Sequence, residues 1–451
     1  MTAPPQPPSG SPACPPASPG PSTSAAAAPA APLAVAWADP ARQAAFTQWL
    51  AREAPAHGLR PDTVRVASAD ASFRRYLRVD CAGGGSCIVM DAPPAQENCA
   101  PFVKVAGLMA QAGLQVPQVL AWDEAQGFML LSDLGTQTMM DVIDRDHPGA
   151  NLALYQQAVD ALVAWQRASR PGVLPPYDAA LLKRELALFP DWYVARHRGV
   201  VLSDRQRGVL DHAFERIVAH NLAAPSVFVH RDFMPRNLMK LLAPTLPTAC
   251  GSLDETLPES ASLRAVRPCA GRPGAAALSP QGAELAWERP GAALSAPTLP
   301  TACGSLAPGL GVLDFQDAVY GPITYDIASL MRDAFLSWDE DFVLDVTVRY
   351  WEQARRAGLL GARSASGWGE DFGEFYRGVE WMGLQRHLKV AGIFARLTLR
   401  DGKPRYLADA PRFIGYIRAT AHRYRELGPL LKLIDEIEGT AAATGFAFGR
   451  V

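Results

Sequence analysis

The chain is most informative first for what it lacks. No Lys or Arg precedes Arg42, and prolines interrupt the alanines of the first segment, so a secretory signal is not expected there. No apolar run approaches the length of a membrane span. Seven cysteines, an odd number without a single C-x-x-C, argue against a disulfide framework and against a structural zinc site. Neither sign of charge dominates, with 43 basic against 45 acidic residues, so nothing global recommends a nucleic-acid or membrane partner. Together these absences predict a cytoplasmic protein with scattered thiols and no membrane or nucleic-acid partner.

Residues 1–38 are Pro, Ala, Ser and Gly with almost no charge, a composition that buries too little apolar surface to offset its ordering entropy. A disordered tail is expected. Order should begin at Asp39-Pro40, an N-cap followed by a proline at the first helical position. Strand patterns follow at 63–67, 75–80, 86–91, 118–121 and 128–132, with a helical pattern at 99–113. Beyond Asp133-Leu134-Gly135 the pattern turns helical, at 151–169, 178–197 and 203–221 and again from Ile323 onward. The expected fold class is therefore α+β, in two lobes. A small lobe with a mixed β-sheet occupies 39–134, and a mostly helical lobe occupies 135–451. Residues 243–310 interrupt the larger lobe. They carry an 11-residue direct repeat, APTLPTACGSL, at Ala243–Leu253 and Ala296–Leu306. Two Pro- and Ala-rich copies offer no apolar face to stack, so an inserted, disordered loop is expected.

The strongest chemical signal is His230-Arg231-Asp232-Phe233-Met234-Pro235-Arg236-Asn237, which resembles H-R-D-x-x-x-x-N, the catalytic loop of protein-kinase-like phosphotransferases, so the expected α+β, two-lobed fold is protein-kinase-like. Phosphoryl transfer needs its two ends placed and its charge neutralised. Asp232 suits the base that accepts a hydroxyl proton. Asn237 offers an amide oxygen to magnesium, a hard cation that prefers oxygen. Asp314 ends the apolar run Gly311-Val312-Leu313 and suits a second metal ligand, 77 positions after Asn237. A loop of that length costs little extra closure entropy, because the cost grows only logarithmically.

The nucleotide end departs from the kinase pattern. The turn Ser68–Tyr76 stands where a phosphate-covering hairpin belongs but has no glycine, leaving backbone N–H groups and Ser72 as the cradle. The third strand carries Met90 where a lysine is expected. Arg75 and Lys104 are the candidate replacements. For the acceptor, the stretch from Phe375 to Leu427 holds 11 Lys and Arg against 4 Asp and Glu. Trp381, Gln385, Arg386 and Lys389 offer aromatic, amide and cationic groups at helical spacing, with Arg236 in the loop itself. An aromatic face with amides suits a sugar, and cations suit a carboxylate.

HRDFMPRNLM, GVLDFQDAVYGPITYDIASLMRDAF and WMGLQRHLKVAGIFARLTLRDGKPRYLADAPRF together resemble the aminoglycoside phosphotransferase superfamily. Within it they resemble the branch of bacterial anomeric kinases of N-acetylmuramate and N-acetylglucosamine. DASFRRYLRV, VMDAPP and VKVAGL resemble the same branch, over 40–242 and 309–435 in all. The resemblance implies an ATP- and Mg2+-dependent sugar 1-kinase of peptidoglycan recycling whose product passes to a uridylyltransferase. It assigns Asp232 as base, Asn237 and Asp314 as metal ligands, and His230 and Asp326 as supports of the catalytic loop. Ala69, where a glycine is expected, and the insertion depart from it. An antibiotic aminoglycoside kinase is the nearest alternative, but its polycationic substrates call for an acidic cleft. A pseudokinase or nucleotide-binding module is the alternative from another class.

Overall fold

The computed structural model describes residues 35–69, 73–241, 309–361 and 367–440. The tail before Val35, Ser72 and the repeat-containing segment lie outside them. The chain divides into two compact units, Met1–Gly107 with Pro117–Asp133, and Leu108–Val116 with Leu134–Val451.

In the first unit, α1 (Pro40–His57) starts as its sequence dictates, with the Asp39 carboxylate accepting the Ala41 N–H at 2.9 Å. Five strands follow: β1 (Arg65–Ala69), β2 (Arg75–Asp80), β3 (Ser86–Asp91), β4 (Val119–Asp123) and β5 (Phe128–Ser132). α2 (Ala100–Gln111) falls between β3 and β4. The spatial order is β1-β2-β3-β5-β4, and every pairing is antiparallel rather than mixed. Tight turns join β2 to β3 and β4 to β5, and β5 returns between β3 and β4, so no parallel neighbour arises. Phe46, Trp49 and Leu50 of α1 pack on Leu77, Val79, Val89, Phe128 and Leu130, which alternate along β2, β3 and β5. One face of the sheet is thus closed by α1, and Tyr76, Arg78, Ile88 and Met90 occupy the other.

The second unit contains α3 (Met139–Val142), α4 (Leu152–Arg167), α5 (Ala179–Leu186) and α6 (Asp204–Leu222). Two short ribbons follow, β6 (Ser226–Val229) with β9 (Val319–Pro322), and β7 (Leu238–Lys240) with β8 (Leu310–Val312), both antiparallel. Then come α7 (Thr324–Met331), α8 (Glu340–Arg356), α9 (Phe372–Leu399), α10 (Ala410–Arg423) and α11 (Gly428–Glu438). The helix expected over 178–197 is broken: Phe189–His197 is π-helical. Pro190 lacks the N–H an α-helix needs there. Gly392 of α9 lies so close to this break that a Cβ would overlap the Leu188 carbonyl. No helix among the described residues is long and apolar enough to cross a membrane.

Candidate active site

The ribbons place two loops side by side. The turn leaving β6 carries His230–Asn237, and the turn leaving β8 carries Asp314. Arg231 (φ 79°) and Asp314 (φ 63°) are the only non-glycine residues with positive φ among those described. Such backbone costs about 1–2 kcal/mol per residue and persists only where the surroundings impose it. At Arg231 it is imposed by Asp326, at the start of α7 and 0 % exposed. Its carboxylate accepts the backbone N–H of His230 at 2.7 Å and of Arg231 at 3.0 Å. Burial nevertheless outweighs these two bonds and raises its pKa to about 7.

His230 is also fully buried. Its Nε2 lies 3.0 Å from the Leu313 carbonyl and its Nδ1 accepts the Asp232 N–H at 3.2 Å. Burial pushes its pKa down to about 4, so the ring is neutral and ties the two loops together. The Asp232 carbonyl accepts from Asn237 Nδ2 at 2.9 Å, while among the described residues its carboxylate takes no hydrogen bond or ion pair. A half-exposed, unengaged carboxylate suits a proton acceptor.

Asn237 and Asp314 meet, with Nδ2 to Oδ2 at 3.4 Å. Because the amide nitrogen points to Asp232 and Asp314, the amide oxygen is directed elsewhere. One amide oxygen and one carboxylate make an all-oxygen donor pair that suits Mg2+. Such an ion completes its shell with phosphate and water rather than with a protein cage. No group of three or more His, Cys, Asp and Glu suited to hold a metal occurs among the described residues.

Beside the loop lies a buried polar cluster that the sequence did not reveal. Glu185, on α5 and 7 % exposed at its side chain, accepts from Arg231, from Tyr177 and from Gln385 Nε2 at 3.1 Å. Lys389 Nζ reaches it at 2.9 Å and donates to Tyr325 Oη at 3.1 Å. Burial alone would raise the Glu185 pKa, yet Lys389 and Arg231 hold it at about 2. Tyr177 reaches this place because Gly321 of β9 has no Cβ: an added one would lie 2.5 Å from that of Tyr177. The Arg386 guanidinium stands over the Tyr325 ring at 5.2 Å, is 3 % exposed and leaves Nε without a partner. Asp333, also buried, has an unpartnered Oδ2, and burial raises its pKa to about 6.

Four of the expected acceptor and nucleotide residues are placed differently from the sequence reading. Trp381 is 2 % exposed and packs on His220 at 4.6 Å and on Tyr424 at 5.9 Å, a core position rather than a sugar platform. Gln385 is wholly buried against Glu185, and Lys389 is neutralised by it. Arg75 stands directly opposite Asp91, on the sheet face that α1 covers. It pairs with Asp91, which also takes Arg42 Nη2 of α1 at 2.6 Å, and it stacks on Trp37 at 4.0 Å. Strand alternation therefore points Arg75 away from the face of Met90, so it does not take the place of a third-strand lysine. Lys104 stands on the exposed side of α2. Arg236 is exposed, over the Phe335 ring at 4.8 Å.

A pair of loops that positions a free carboxylate beside an Asn–Asp pair is the equipment of a phosphotransferase. The chain belongs to the phosphotransferase enzyme family, whose model matches residues 63–243 and 307–360. It is 43 % identical, over 85 % of its length and 91 % of the relative's, to the N-acetylmuramate/N-acetylglucosamine kinase of Pseudomonas aeruginosa. It is 40 % identical, over 90 % of its length and 99 % of the relative's, to the enzyme of the same name from Neisseria meningitidis.

Proposed function

We propose that this protein is an ATP- and Mg2+-dependent kinase that phosphorylates the anomeric hydroxyl of N-acetylmuramate and N-acetylglucosamine. The observation that carries the reading is the unengaged Asp232 carboxylate, fixed through its own backbone beside the Asn237–Asp314 pair. The named relatives supply the acceptor class. When bound, the metal neutralises the charge of the transferring phosphoryl group. Asn237 and Asp314 are its proposed protein ligands.

Asp232 is the proposed base. The anomeric hydroxyl is more acidic than other sugar hydroxyls, because the ring oxygen withdraws electron density, and so a modest base suffices. Asp326 and His230 hold that base in register. Arg386 is the cation proposed to meet the lactyl carboxylate of a muramate. A contact of that kind is worth about 1.5–3 kcal/mol, or roughly a tenfold to hundredfold preference over a sugar without the carboxylate. The reading places the reaction in the cytoplasm, in cell-wall sugar recycling, with a uridylyltransferase next in line.

The test compares ATP turnover on N-acetylmuramate, N-acetylglucosamine, its 1-O-methyl glycoside and kanamycin. Turnover of the two free sugars and none of the glycoside is the expected result. Activity on the glycoside would exclude the anomeric oxygen as sole acceptor. Faster turnover of kanamycin than of either sugar would move the protein to the antibiotic-kinase class.

A further inference from the structure

Asp232 poses an electrostatic question. Arg231, Arg386 and Lys389 all lie close enough for its charge to raise their own pKa values against the effect of burial. Yet its carboxylate forms no ion pair with any of them. A half-exposed carboxylate beside buried cations still attracts them, and long side chains can reach to meet it. Something holds these three back.

The geometry points to Glu185. We infer that Glu185 is a positioning residue that draws Arg231 and Lys389 onto its own carboxylate and thereby keeps Asp232 free to act as base. It takes Lys389 Nζ at 2.9 Å and the Arg231 guanidinium on the same oxygen, while its other oxygen is fixed by Tyr177 and by Gln385. Glu185 is itself anchored at the end of α5, just before the π-helical break, and α9 packs there at Gly392, one turn beyond Lys389. Tyr325 completes the arrangement by taking Lys389 on its hydroxyl and Arg386 over its ring.

Two cations on one acid leave a net positive field around Asp232 without a direct contact. That field suits a site where a nucleotide and an anionic sugar must both approach, and the base stays unblocked. The role is one of placement, because Glu185 touches neither Asn237 nor Asp314. The inference rests on the proposed kinase activity for its kinetic consequence, though not for its structural one.

Three variants test it. Glu185→Gln keeps the shape and an acceptor oxygen but removes the charge that holds both cations. With Arg231 and Lys389 released, one of them pairs with Asp232. kcat for sugar phosphorylation then falls by about tenfold or more, because an engaged base accepts a proton poorly, while KM for ATP changes little. Adding Lys389→Met to that variant removes one released cation, and the double variant should recover part of the lost kcat. Glu185→Asp, which keeps the charge, should fall between wild type and Glu185→Gln.

A residue needed only for packing predicts the reverse order, with the double variant no faster than Glu185→Gln. That result overturns the inference. A crystal structure of Glu185→Gln decides the structural half whatever the substrate proves to be. Lys389 or Arg231 within about 4 Å of the Asp232 carboxylate supports it, and side chains left where they stand refute it. Wild-type protein that phosphorylates no sugar would take down the kinase reading and leave that structure to judge Glu185.

Discussion

Asp326→Asn separates what a buried carboxylate does for catalysis from what it does to stability. Asp326 is 0 % exposed, and although two backbone donors favour its charged form, burial raises its pKa from 3.8 to about 7. Between those values the folded chain holds a proton that the unfolded chain has released. Its contribution to stability is therefore complete below about pH 4 and is lost as pH rises toward 7. A rise of that size sets a ceiling of ~4 kcal/mol on the loss. The carboxamide keeps the shape and never ionises, so the variant should gain on wild type as pH rises, by up to that amount.

Catalysis should move the other way. The carboxamide has one acceptor oxygen for two N–H groups, and its own NH2 must face one of them. The turn carrying Arg231 and Asp232 then shifts, and a displacement on the order of 1 Å costs roughly a hundredfold in turnover. Urea unfolding at a series of pH values, beside steady-state kinetics, measures both. A variant that loses ground to wild type as pH rises would show that hydrogen bonding, not burial, governs Asp326. An unchanged kcat would show that Asp326 does not place the base.

Other substitutions probe the rest of the fold. Asp232→Asn should leave the fold and ATP binding intact while turnover falls by about a hundredfold to ten-thousandfold; wild-type rates would remove Asp232 from the mechanism. Deleting Pro244–Pro308 should leave a folded, active kinase, because Lys240 and Leu310 are direct partners across β7 and β8 and a short turn can join them; loss of soluble protein would show that the segment is structural. His387 is 2 % exposed, and burial lowers its pKa to about 3. The unfolded chain takes up its proton first as pH falls below about 6.5, so on the order of 4 kcal/mol of stability is lost toward pH 3. His387→Gln should flatten that acid limb in thermal melts, and an unaltered limb would place the loss elsewhere.

Much of this was legible in the sequence where the signal is local. β2, β3 and β5 fall on the strand patterns at 75–80, 86–91 and 128–132, because alternation and turn residues operate over a few positions. That Asn237 and Asp314 meet was legible, because the H-R-D-x-x-x-x-N spacing is fixed and Asp314 ends an apolar run; the roles of Asp232, Asn237 and Asp314 in the reaction are those proposed above. Glu185 was not legible. In LLKREL it reads as a solvated helical charge, and its partners lie 46 residues away at Arg231 and 200 away at Gln385. Arg75 was misread for a simpler reason: it alternates in phase with Leu77 and Val79, which already assigned it to the α1 face. Trp381 shows the limit of helical spacing, which finds a face without saying what that face meets.

The left-handed backbone at Arg231 and Asp314 also bears on how this protein responds to selection. Glycine relieves such a conformation at no steric cost, so in a mutant library sorted only for expression, glycine should enrich at both positions. Sorted for growth that depends on the enzyme, the same library should reject glycine at 314, where the side chain is the proposed metal ligand, and at 231, where the guanidinium pairs with Glu185. Divergence of the two sorted populations at these two codons would mark the reactive centre from sequencing counts alone, with no ligand and no structure.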